Sequence, residues 1–163
     1  MDQSHIWDRE QLTVVVSKGF VFERYLQNIQ RYRITHLTMV PAQAVLLCKH
    51  PLTKNYDLSS VRSCLIGAAP LSPEMHAELT KLFPDAHFGQ GYGMTETSCI
   101  IATVSPAPPT GPYCPYTLLL PNIHRTSAKV VKADGTLAGV GECGELLVHG
   151  PQIVLGYYRN PKA

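Results

Sequence analysis

The chain has 163 residues, enough for one domain or one piece of a larger one, with room for a buried core. It is 45% hydrophobic and 16% charged with a net charge of +2, and its basic residues form no run, which argues against a nucleic-acid partner. No apolar stretch approaches the ~18 residues of a membrane span, and no signal-peptide pattern opens the chain.

Leu12 to Val16 is a β-branched run that predicts a buried strand, ended by Lys18-Gly19. Phe22, Tyr25, Leu26 and Ile29 follow at helical spacing and predict a helix over 20–32 with one apolar face. His36 to Val40 predicts the next strand. Pro41 suits the first position of a second helix, carrying Val45 and Leu46 inward. After a polar connection, Asn55 to Ser60, strand character returns at Val61 to Ile66. Ser72-Pro73-Glu74 is a helix start: a hydroxyl cap, a proline in the first turn and a carboxylate at the positive dipole end. Met75, Leu79, Leu82 and Phe83 give that helix its apolar face, and Ala86 to Phe88 is a strand. The alternation of strand and helix predicts a parallel sheet covered by helices over about 12–104, an α/β class. Ligands of such sheets sit beyond the carboxyl ends of the strands. Two strand ends fit, Gly67-Ala68-Ala69-Pro70 and Gly89 to Gly93.

The second of these opens the most unusual stretch, Gly89-Gln90-Gly91-Tyr92-Gly93-Met94-Thr95-Glu96-Thr97. Alternating glycines let a flat ligand approach the backbone, and Tyr92 between two of them can act as a stacking plate. Thr95 can donate to a phosphate oxygen, and Glu96 can face Mg²⁺, a hard cation that takes oxygen ligands. The other reading of the same residues is a glycine-rich turn with Tyr92 half-buried and Thr95 capping a helix.

Beyond Glu96 the character changes. Five prolines between Ser105 and Thr117 predict an irregular connection. Ala128 to Lys132, a turn at Ala133-Asp134-Gly135-Thr136, and Glu145 to Val148 predict a small antiparallel β unit within about 118–158. Gly139-Val140-Gly141-Glu142-Cys143-Gly144 fits a dinucleotide fingerprint in spelling only, because a strand rather than a helix follows it. The expected division is an α/β part over 1–104, a connection over 105–117 and a β-rich part over 118–163. Cys48, Cys64, Cys99, Cys114 and Cys143 are odd in number and lack a Cys-x-x-Cys pair, and the seven histidines show no metal-ligand spacing. This favours a reduced protein with buried thiols, and a cytoplasmic one.

These motifs together resemble the adenylate-forming superfamily, which includes acyl- and aryl-CoA ligases, luciferases and peptide-synthetase adenylation domains. Gly89 to Glu96 is similar to its YGxTE motif, and Gly67-Ala68-Ala69-Pro70 to its G-A-A-P turn. Gly144-Glu145-Leu146, Gly150-Pro151-Gln152 and Gly156-Tyr157-Tyr158-x-Asn160-Pro161 resemble the segments that follow in the family. Gln90 and the Gly-Pro-Gln triplet look most like the 4-coumarate–CoA ligase-like branch. The resemblance implies an ATP-dependent acid–CoA ligase: a small-molecule carboxylic acid and ATP give an acyl-adenylate, and coenzyme A then takes the acyl group. It implies ATP or AMP, Mg²⁺ and CoA as ligands. Ala68, Ala69 and Pro70 would wall the adenine opposite Tyr92, Met94 would belong to the same nucleotide site, Thr95 would bond the α-phosphate, and Glu96 would hold Mg²⁺. Gly67, Gln90, Gly91 and Gly93 would border the acyl pocket.

The family also carries a phosphate loop ending in Lys, which no residues before Leu12 match. Its ribose-binding Thr-Gly-Asp, hinge and catalytic Lys have no counterpart up to Ala163. Gly111-Pro112-Tyr113-Cys114-Pro115-Tyr116-Thr117 stands where the family has a Gly-Ser-x-Gly turn before Leu119-Leu120-Pro121-Asn122. The chain is therefore expected to be an internal piece of such an enzyme, not turning over alone and prone to self-association through uncovered strand edges. A nucleotide-binding or interaction relic without catalysis, or part of an adenylation domain loading a carrier protein, are the other expectations. A peroxisomal parent is the alternative to the cytoplasm.

Overall fold

The computed structural model describes residues 13–103 and 126–160. Its first part is a sheet of four strands in the order β1-β2-β3-β4, with β1 (His36–Met39), β2 (Ser63–Gly67) and β3 (His87–Tyr92) parallel. β4 (Ala102–Thr103) pairs antiparallel with β3. Each parallel step is bridged by a helix, as the alternating pattern requires: α2 (Pro41–Lys49) between β1 and β2, and α3 (Pro73–Leu82) between β2 and β3. α1 (Phe22–Tyr32) precedes β1.

The apolar stripe of α1 places Leu26 and Ile29 in the core, and the helix ends where Arg33 turns left-handed at φ 51°. The Arg33 guanidinium then reaches Asp57 at 2.6 Å, and Gln30 accepts from the Asp57 amide at 2.7 Å, tying the helix end to the connection before β2. α3 starts as its sequence requires, with Ser72 Oγ accepting from the Met75 amide at 3.2 Å. Leu79 and Phe83 sink into the core with Leu37, Met39, Cys64 and Ile66 from the strands. Burial pushes the Cys64 thiol up to about 12, so it stays protonated, whereas Cys99 and Cys143 are exposed.

Two expectations are corrected. Thr13 to Val16 form no strand, and Val14 and Val16 are 70% and 86% exposed. β-branched residues favour a strand only where a ladder and a packing face receive them, and no described strand pairs with this run. In α2 the buried residues are Ala44 and Leu47, while Val45 is 40% exposed. Ala44 to Leu47 is a continuous apolar run, so periodicity could not choose the inward face.

The second part is a hairpin, β5 (Ser127–Val131) against β6 (Glu145–His149), in register from Ser127↔His149 to Val131↔Glu145. The expected turn is closed by Asp134, whose Oδ1 accepts from the Thr136 amide at 2.9 Å and its hydroxyl at 2.6 Å. The residues from Gly139 to Gly144 are a loop that leads into a strand, as the rejection of a dinucleotide fingerprint required. The proline-rich connection at 105–117, Leu12 and Leu119-Leu120-Pro121-Asn122 lie outside the described residues.

Candidate functional site

Parallel pairing of β2 and β3 sets Gly67 opposite Gly91 and Ile66 opposite Gln90. Both glycine motifs therefore leave the sheet side by side, at its carboxyl edge. A Cβ on Gly67 would stand 3.3 Å from the Gly91 carbonyl, so a small residue keeps the two strand ends together. The chain then turns through Ala68 at φ 71°, a left-handed conformation that costs an alanine about 1 kcal/mol or more. Ala68, Ala69 and Pro70 are all exposed, an apolar wall at the sheet edge. Tyr92, at the end of β3, is 44% exposed, and Met94 and Thr95 beyond it are exposed too.

From Gly93 the chain makes a closed turn back into β4. Thr95–Thr97 is a short 3₁₀ turn, and the Ile101 amide returns to the Tyr92 carbonyl at 2.8 Å. Thr95 begins this turn but does not cap it. That work falls to Thr97, 3% exposed, whose hydroxyl donates to the Met94 carbonyl at 2.9 Å and accepts from the Met94 amide at 3.3 Å. Ser98 and Cys99 then take positive φ, 51° and 110°. The turn closes so tightly that a Cβ on Gly93 would lie 1.5 Å from the Cys99 carbonyl oxygen.

The segment after β6 also binds this turn. Val154 N donates to the Glu96 carbonyl at 2.9 Å, and Ser98 Oγ donates to the Gln152 carbonyl at 2.7 Å. The Tyr157 hydroxyl donates to Glu96 Oε1. That bond, then the residue's own amide, holds the Glu96 carboxyl below its ordinary range, so it is ionised at neutral pH. The same bond, with the carboxylate's charge, pushes Tyr157 up. Sequence reasoning placed none of Thr97, Gln152, Val154 or Tyr157 in the site. A hydroxyl three residues after Met94 was a signal for the turn closure. For Tyr157, 61 positions from Glu96, no local signal existed.

Among the described residues no three His, Cys, Asp or Glu side chains cluster as a metal cage. A single ionised carboxylate beside an exposed hydroxyl instead fits Mg²⁺, which keeps most of its waters and shares few protein ligands with a substrate's phosphates.

The family described as AMP-binding enzyme matches residues 10–158. Acyl-CoA synthetase 7 of Caenorhabditis elegans is 40% identical over 148 residues, covering 91% of this chain and 26% of the relative. A 4-coumarate-CoA ligase 2 of Narcissus pseudonarcissus is 36% identical over 156 residues, covering 92% of this chain and 26% of the relative. Among solved structures, a long-chain-fatty-acid-CoA ligase from Archaeoglobus fulgidus superposes with a TM-score of 0.74 at 29% identity, over 88% of this chain and 30% of that one. The chain thus spans about a quarter of the length of the curated relatives it matches.

Proposed function

The chain belongs to the AMP-binding enzyme family, an adenylate-forming one, and from that premise we propose that it forms the adenine-facing side of the site of an ATP-dependent acid–CoA ligase, of the 4-coumarate–CoA ligase kind. The observation that carries the reading is the β2–β3 register, which sets the Gly67 to Pro70 wall beside Tyr92 to Glu96 at one sheet edge. Adenine lies between the wall of Ala68, Ala69 and Pro70 and the Tyr92 ring, with Met94 at the same end. Thr95 donates to the α-phosphate. Gly67, Gln90 and Gly91 border the acyl chain, and Gly93 admits the turn that presents Thr95 and Glu96.

In the reaction a carboxylate oxygen of a small-molecule acid bonds to the α-phosphorus as the α–β phosphoanhydride bond breaks and pyrophosphate leaves. The thiolate of CoA then bonds to the acyl carbon, and AMP leaves. Thr95 acts where negative charge builds on the α-phosphate during the first step. Mg²⁺ at Glu96 would neutralise phosphate charge. Cytoplasmic residence belongs to the same proposal; among the described residues no helix is long and apolar enough to cross a membrane. So does self-association, which the exposed Leu146, Leu147 and Leu155 support.

Calorimetry of the chain with ATP, with and without Mg²⁺, tests the assignment of Glu96. Mg²⁺ should tighten ATP binding by the parent chain, and Glu96→Gln should erase that gain while leaving metal-free AMP affinity in place. An equal gain from Mg²⁺ in Glu96→Gln would remove Glu96 from the metal site.

A further inference from the structure

A glutamate side chain at the surface has several rotamers of similar energy, and fixing one of them costs conformational entropy. A carboxylate that must meet a cation in one geometry therefore gains from a partner that holds it beforehand. Glu96 has such a partner in Tyr157, whose hydroxyl donates to Oε1. A carboxylate has about four acceptor positions over two oxygens, so one phenol on Oε1 leaves Oε2 with capacity for a cation. Tyr157 is itself held: the Asn160 amide closes a tight turn onto its carbonyl at 3.1 Å. Earlier in the same arm, Val154 and Gln152 grip the backbone and the Ser98 hydroxyl of the Glu96 turn.

We propose that Tyr157 is a positioning residue for Glu96: it holds Oε1 so that the carboxylate is set in advance for the divalent cation that accompanies ATP. The proposal rests on the reading of Glu96 given above. It makes the arm after β6 a working part of the nucleotide site, although it is far from both glycine motifs in sequence. Tyr157 acts through Glu96 alone, and the effect of losing its hydroxyl is confined to the dependence of binding on the metal.

The test is an Mg²⁺ titration at fixed ATP on the whole chain, with AMP binding in the presence of a chelator as reference. Tyr157→Phe keeps the ring and removes one hydrogen bond to a charged group. It should raise the Mg²⁺ midpoint on the order of tenfold and leave AMP affinity within about twofold. Ser98→Ala removes the neighbouring bond from the turn to the arm, and should not move the midpoint. An unmoved midpoint in Tyr157→Phe, with Glu96→Gln having lost its Mg²⁺ dependence, overturns the proposal and leaves the metal assignment standing. Equal shifts in Tyr157→Phe and Ser98→Ala also overturn it, because the hydroxyl then only anchors the arm. ATP binding that ignores Mg²⁺ in the parent, or an unchanged dependence in Glu96→Gln, removes the metal assignment and the proposal with it.

Discussion

Alanine at Gly93 should destabilise the chain by about 3 kcal/mol or more, at the upper end of what a single added methyl does. Its Cβ would stand 1.5 Å from the Cys99 carbonyl oxygen and 2.8 Å from the Ile100 Cα, and these are backbone atoms that cannot rotate away. Relief requires opening the whole turn from Gly93 to Ile101. That turn is closed by the Ile101–Tyr92 backbone bond at one end and by the two bonds of the buried Thr97 hydroxyl in the middle. Opening it also separates Glu96 from Val154 and Tyr157. The urea midpoint should fall with little change in slope, and ATP binding should be lost in any folded remainder. A loss of less than about 1 kcal/mol would mean that Gly93 and Cys99 do not approach as described.

Removing the Tyr92 ring should weaken AMP binding by about ten- to a hundredfold, the range for one base stacked on an aromatic plate. The ring is 44% exposed and absent from the core cluster, so Tyr92→Ala should cost little stability. Tyr92→Phe keeps the stacking face and should retain most of the affinity. Binding is the discriminating readout, because a ring that merely covered the sheet edge would lower stability and leave affinity alone. Equal AMP affinity for the parent chain and the Tyr92→Ala variant, compared at matched folded fractions, would take the ring out of the nucleotide site.

What could be read in the sequence, and what could not, follows the range of the interactions involved. α1 was legible because Phe22, Tyr25, Leu26 and Ile29 mark one face. α3 was legible because Ser72-Pro73-Glu74 satisfies its first turn locally. The parallel sheet followed from alternation, and with it the shared carboxyl edge of the two glycine motifs. The inward face of α2 was not legible, since four successive apolar residues carry no phase. Nor was the fate of Thr13 to Val16, because strand propensity does not supply a partner strand. The chemistry proposed for Thr95 and Glu96 comes from residue type and the family resemblance. Their setting was not legible: the Thr97 hydroxyl, the arm from Gln152 to Tyr157 and the contact of Gly93 with Cys99 are properties of the folded turn.

On the proposed reading, the edge formed by Gly67 to Pro70 and Tyr92 to Glu96 is a nucleotide site. The test is a calorimetric titration of the whole chain with AMP, with its fold verified by circular dichroism on the same sample. One saturable site, displaced by ATP, is the predicted result. A folded chain that releases no heat with AMP and leaves ATP unbound would contradict it.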